Sequence, residues 1–423
     1  MQEDLLHFAW RLKRFDRSDL FTTDGQAIDI LQFGEANRHA GPDFIDARVR
    51  IDNTLWAGNV EMHLKASDWT KHRHQEDRSY DNVILHVVLE EDEVIHRSDG
   101  QRIPCLELRR RIPQKLSRIY KSLLQNEHWI PCQHLWFRVE DSVKVLWLDR
   151  LLVERLEDRT TGMSERLTAN GQDWELTLYQ LLARGFGTRI NVEPFEQLAR
   201  SLPLNILQRY KNSLFQLEAL LFGQATLLDE DFAEEYPRKL QKEYHFLRRK
   251  HKLKPIPGQQ WKFLRMRPAN FPTIRIAQFA MLIHQSTHLF SKMLAAKNVP
   301  EIEHMFDLKI SNYWRDHYTF GKVSTPRQKA LGRSMIHLLI INVIAPLLFL
   351  YGKSRSEESC KDLAIKLLEE IPAEKNHIIQ KWKTLGLEVH TAYESQALLQ
   401  LKHEYCEKKR CLECAVGGAF LRA

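Results

Sequence analysis

No Walker-type phosphate loop occurs in these 423 residues, so no built-in ATP-driven motor is expected. The chain also lacks a Gly/Ser linker, a low-complexity tract and an internal repeat, which argues against repeat architectures and tethered modules. Cysteine is scarce. Of six, three lie at the extreme C-terminus, a usage unlike an extracellular disulfide framework. The opening MQEDLLHFAWRLKRF begins acidic and has neither an apolar core nor a small-residue cleavage site, so no signal peptide is expected. The longest apolar run, Met335 to Tyr351, carries His337, Asn342 and Pro346 and is short for a membrane span. A buried helix broken near Pro346 is expected instead. Together these absences point to a soluble, cytoplasmic chain without a membrane partner.

What is present is ordinary in bulk. Hydrophobic residues make up 43% and charged residues 28%, values of a folded globular chain. The length exceeds one typical core, so two domains, or three, are expected. A net charge of +7 with a pI near 9.0 suits a polyanionic partner such as DNA or RNA without requiring one. Oligomeric state is not legible.

The most informative stretch is Ala40 to Trp69, AGPDFIDARVRIDNTLWAGNVEMHLKASDW. Phe44, Ile45, Ala47, Val49 and Ile51 form an alternating run, Asp52-Asn53-Thr54 turns the chain, and a second run follows from Leu55. Period-2 alternation on both sides of a polar turn predicts a β-hairpin. In its second strand Glu61, His63 and Lys65 share one face, and Val60, Met62 and Leu64 the other. Such a hairpin can bring Asp43 near Glu61. Two carboxylates with a cationic side chain beside them are what a hydrolytic Mg²⁺ or Mn²⁺ site needs.

The surroundings are predicted as follows. An amphipathic helix covers residues 4 to 15, and a strand holds Ile28, Ile30 and Phe33. A helix capped by Ser67-Asp68 runs from Trp69 to Tyr80, and NVILHVVLE, Asn82 to Glu90, is a buried strand. A further hairpin turns at Ser98-Asp99-Gly100. From Pro113 the pattern becomes helical: Gln114 to Glu127, Ser142 to Glu157, Trp174 to Ala183, Gly187 to Phe222 with a break near Pro203, Tyr236 to His251, and onward with few strand signals. The expected fold class is therefore α+β, with a sheet-bearing domain over residues 1–112 and a mostly α-helical domain over 113–423 that ends in a cysteine cluster.

Pro42-Asp43, then Glu61 and His63, resembles the signature of the PD-(D/E)xK (restriction-endonuclease-like) nuclease superfamily. The predicted order of elements resembles its α-β-β-β-α-β core. The resemblance implies that Asp43 and Glu61 bind Mg²⁺ or Mn²⁺ and that a lysine two residues on aids the attacking water. Here His63 stands in the lysine position, leaving His63 itself or Lys65 for the role. Over nearly its full length the chain also resembles an uncharacterised bacterial family, a domain of unknown function (2851), through NRHAGPDF, GNVEMHLKASDW, YDNVILHVV, RPANFPTIRIAQ and the Cys-rich end. That second resemblance implies no activity.

Imidazoles are abundant around the same stretch: His39, His63, His72, His74 and His86. His72 and His74 would diverge on a helix. A set of His63, His74, Asp77 and His86 is a rival metal site that favours Zn²⁺ or Mn²⁺ over Mg²⁺. Basic stretches lie further on. Arg238 to Lys254 holds eight Lys/Arg against one acid, and Trp261 to Arg275 sets arginines around two prolines. Arg248, Lys250, Arg265, Arg267 and Arg275 are the candidate phosphate-backbone contacts. At the end, His403, Cys406, Cys411 and Cys414 offer four soft ligands, with CxxC spacing in the last pair, for Zn²⁺ or an iron–sulfur cluster. Cys132 or Cys360 could supply a thiolate in place of His403. The expected function is metal-dependent hydrolysis of DNA or RNA phosphodiesters. Two alternatives stand: an inactive nuclease-fold binder or scaffold, and a His-rich metallohydrolase of another substrate class.

Overall fold

The structure is a computed structural model that describes residues 3–37 and 39–422. The chain divides into two compact units, Met1–Leu148 with Leu401–Ala423, and Asp149–Gln400. It is a mixed α+β protein, with its large sheet in the first unit and helices dominating the second.

The first unit starts with helix α1, Glu3–Arg11, whose Leu5, Leu6, Phe8, Ala9 and Trp10 are buried. Strands β1 (Ile28–Gln32), β2 (Glu35–Ala36), β3 (Phe44–Ile51), β4 (Thr54–Lys65), β5 (Val83–Glu90) and β6 (Cys105–Glu107) follow. They form one sheet in the order β1-β3-β4-β5-β6, with β2 paired to β3 at the margin. β3 pairs antiparallel with both β1 and β4, whereas β5 joins β4 in parallel and β6 joins β5 in parallel. The predicted β3–β4 hairpin forms, turning through Asp52 at φ +50°.

Alternation sorts the sheet's two faces. Val49, Ile51, Val60, Met62, Leu85 and Val87 pack with α1 in the main core. A smaller cluster of Ala66, Trp69, Val83, Val88, Ile95, Ile103 and Cys105 forms a second core. β5 is buried along most of its length, as an inner strand with both faces covered must be. At Asp46 (φ +58°) a bulge shifts the β3 register, which leaves Ile45 exposed while Phe44 and Ala47 stay inside.

Two expectations about this unit are corrected. The helix predicted over Trp69 to Tyr80 is one short turn, α2 (Asp68–Lys71), then two 3₁₀ turns at His74–Glu76 and Arg78–Tyr80. Arg73 adopts a left-handed conformation (φ +61°) that a continuing helix cannot contain. Ser67 does not cap α2, because its hydroxyl and N–H bond Asp92. Leu116 and Tyr120 of α3 (Gln114–Gln125) enter the sheet core, and Leu421 joins them.

The second unit is helical apart from a small hairpin, His317–Thr319 with Lys322–Val323. The apolar run forms a continuous helix, Arg333–Arg355, not a broken one. A π-turn at Ile340–Ile344 precedes Pro346 and absorbs its missing N–H. By length and composition this helix could cross a membrane, yet 78% of its apolar window is buried in protein, the pattern of a core helix.

Candidate metal centre

Period 2 along β4 turns Glu61 and His63 away from the side that holds Val60 and Met62, and both are buried. Parallel pairing sets Glu61 opposite His86 on β5. There His63 Nδ1 and His86 Nε2 share a hydrogen bond at 2.8 Å. The left-handed turn at Arg73 then reverses the chain between His72 and His74, and both rings come back to β4. His63 Nε2 lies 3.2 Å from His72 Nδ1 and 3.6 Å from Glu61 Oε1, and His74 Nε2 lies 3.2 Å from the same oxygen. The ligand atoms of His63, His72 and His74 all fall within 4.8 Å of one another. Tyr80 stacks on His74 at 3.9 Å between centroids, and Trp69 presents an edge to His74 at 5.4 Å.

Asp43 is locked to this group through the backbone. Its N–H donates to Glu61 Oε2 at 3.0 Å, and the Met62 N–H donates to Asp43 Oδ2 at 3.0 Å. Each carboxylate therefore fixes the strand that carries the other. His7, from α1, approaches Asp43 Oδ2 at 3.3 Å.

The electrostatics follow from burial. Desolvation, with the neighbouring His86, His74 and His72, pushes His63 down to about 2, and desolvation with His74 pushes His86 down to about 3. Both rings are thus neutral at physiological pH, the form that binds metal. Burial first, then the Asp43 charge, pushes Glu61 up to about 9. Burial alone would lower His7, but the Asp43 carboxylate 3.3 Å away outweighs this and raises it.

The donor set fits a divalent transition ion. Metal–nitrogen bonds of about 2.0–2.1 Å put neighbouring ligand atoms roughly 3.0–3.4 Å apart, close to the 3.2–3.6 Å of the His63–His72, His63–Glu61 and His74–Glu61 contacts. Three imidazoles and one carboxylate suit Zn²⁺ or Mn²⁺ better than Mg²⁺. His86 would act behind the ligands by fixing the His63 ring through its other nitrogen.

Other predicted site residues go elsewhere. Lys65 is exposed at the end of β4 and points to Asp92, 3.6 Å away. Asp77 caps the second 3₁₀ turn by accepting from the Ser79 N–H, and His39 is exposed. In the second unit Arg248, Lys250, Arg265 and Arg267 are exposed, but Arg275 is buried, donating to Asn270 and Gln278. Its guanidinium is therefore not offered to a phosphate. His403 is exposed and bonded to Glu407 at 2.9 Å, whereas Cys406, Cys411 and Cys414 line one pocket together with Cys132.

Sequence reasoning missed His7 and set His72 apart from His74. The only available signal for His72 was its density of neighbouring imidazoles, since the Arg73 turn that unites the pair is not encoded by a glycine. No curated protein and no solved structure matches the chain. Residues 3–377, which include the whole histidine cluster, match the model of a family described as "Protein of unknown function (DUF2851)", and the chain belongs to that family.

Proposed function

We propose that this protein is a metal-dependent hydrolase of phosphodiester bonds in DNA or RNA, centred on Glu61, His63, His72 and His74. The observation that carries the reading is the gathering of the His63, His72 and His74 ring nitrogens within 4.8 Å of one another, with Glu61 Oε1 3.6 Å from His63 and 3.2 Å from His74. A divalent ion held there, Mn²⁺ or Zn²⁺ in preference to Mg²⁺, would supply positive charge to a phosphoryl oxygen and acidity to a water. Glu61 and the three histidines hold that charge in place. Asp43, fixed beside Glu61 and paired with His7, is positioned to accept the water's proton.

The nucleic-acid substrate is supported by the order of elements. A helix, a three-strand antiparallel series, a short helix and a parallel strand carry Asp43 at a strand start and Glu61 in mid-strand, the arrangement associated with PD-(D/E)xK nucleases. The basic charge of the chain and the exposed Arg248, Lys250, Arg265 and Arg267 support a polyanionic partner. Six free thiols fit the cytoplasm, where they persist.

A second reading, a metallohydrolase of another substrate class, is favoured by the imidazole-rich donor set and by Lys65 turning to Asp92. One experiment separates them. Purified protein is incubated with single- and double-stranded DNA and RNA in Mn²⁺, Zn²⁺, Mg²⁺ or EDTA, with Glu61→Gln alongside. The proposal expects Mn²⁺- or Zn²⁺-dependent cutting that EDTA and Glu61→Gln reduce by about 100-fold or more, as for loss of a principal electrostatic group. Absence of cutting by metal-loaded wild type on all four substrates would contradict the nuclease reading. Intact cutting in Glu61→Gln would contradict the site.

A further inference from the structure

Four of the six cysteines meet at a place that the histidine centre does not use. Cys132 follows α3, Cys406 ends a π-turn (Leu401–Cys406), and Cys411 and Cys414 lead into the last helix, Ala415–Arg422. With Pro131, Tyr405 and Gly417 they line one small pocket. Cys132, Cys411 and Cys414 are buried, Cys406 is half-buried, and all four are free thiols.

The surroundings are specific to this gathering. A Cβ on Gly417 would lie 2.1 Å from the Cys411 carbonyl oxygen, so only glycine lets the last helix come this close to the Cys411 backbone. Cations from the same C-terminal segment flank the cysteines. Lys402 donates to the Trp129 carbonyl at 2.9 Å, Lys409 donates to the Leu124 carbonyl, and Arg410 lies 4.6 Å over the Tyr405 ring. Their charge would offset that of thiolates. Packing alone does not require four soft ligands, two of them in CxxC spacing, to line one pocket from distant parts of a sequence.

We propose that Cys132, Cys406, Cys411 and Cys414 form a four-thiolate metal centre, holding either one zinc ion or an iron–sulfur cluster, which fastens the C-terminal segment to the segment after α3. Each ligand thiol releases its proton as the metal binds. Closing so long a loop gives the metal a large effect on how firmly residues 401–422 are held.

The test uses the full chain, purified without oxygen. Elemental analysis and acid-labile sulfide assay should find about one zinc per chain, or iron with sulfide and a broad visible absorption. Either result supports the centre and identifies its metal. Cobalt(II) loading should give the thiolate charge-transfer absorption that an imidazole–carboxylate site cannot produce. Cys132→Ser and Cys411→Ser should lower the thiolate-bound metal at least tenfold, while Cys360→Ser and His403→Ala leave it unchanged. Should the serine variants fail to fold, an organomercurial titrated into wild type should release the metal as four thiols react, and residues 401–422 should then become protease-sensitive. The proposal is overturned if wild type, after reconstitution with zinc or with iron and sulfide, shows no thiolate-bound metal. Undiminished metal in folded Cys132→Ser overturns it equally.

Discussion

Glu61 is the residue with the most opposed demands on it. Its Oε2 accepts the Asp43 N–H, while its Oε1 faces His63 and His74, all in a buried pocket. Glu61→Gln keeps the shape and an acceptor for Asp43 but removes the carboxyl that a bound metal would hold ionised. It should weaken Mn²⁺ binding by about 100-fold while the melting temperature holds, as titration calorimetry beside a thermal scan would show. His86→Phe removes only the partner of His63 and should cost a smaller 10- to 100-fold in metal affinity. In the second unit Glu218 is fully buried, accepting from Tyr236 and Ser311. Desolvation pushes its carboxyl up to about 7 against these hydrogen bonds. Its folded pKa lies above the 4.5 of a free glutamate, so the folded chain binds the extra proton between those values. The stability this group contributes is complete below about pH 4.5 and is lost as pH rises through about 7. Glu218→Gln should therefore flatten that part of the stability curve in denaturant melts across pH 4 to 8. An unchanged slope would contradict the assignment. Asp43 and Glu61 could be found in the sequence because a period of two declares a strand's face. His7 and His72 could not, because their positions depend on α1 docking and on one left-handed residue.

At the level of elements, the site depends on how closely β4 and β5 run. Gly58 lies where a Cβ would meet the Asn82 carbonyl oxygen at 2.5 Å and the Ile84 side chain at 2.6 Å. Gly58→Ala must push the two strands apart where their pairing begins. Overpacking of this kind costs about 1–3 kcal/mol, and because His63 and His86 sit on these two strands, metal affinity should fall as well. Denaturant unfolding and metal titration of the variant check both parts; wild-type values in both would show that the strand spacing is not critical. The β3–β4 hairpin and β5 were legible because alternation and a continuous β-branched run are local signals. The segment after β4 was not. Its helical spacing is overridden by packing that buries Trp69 in the second core and lays Tyr80 on His74.

For the whole molecule, the change from period-two to helical patterning made the α+β character legible. The C-terminal residues 401–423 belong with the sheet unit, an association between chain ends that no local pattern announces. The central claim is a histidine–carboxylate metal centre within that unit. Mn²⁺ tests it most directly, because this ion prefers oxygen and imidazole donors and is a poor ligand partner for thiolates. Electron paramagnetic resonance would follow free Mn²⁺ as it is titrated into metal-stripped wild type, Glu61→Gln and a His72→Ala/His74→Ala variant. The account predicts one tight site in wild type, weakened by about 100-fold or more in both variants while circular dichroism shows the fold retained. Equal Mn²⁺ binding by all three proteins, or none by wild type, would contradict it.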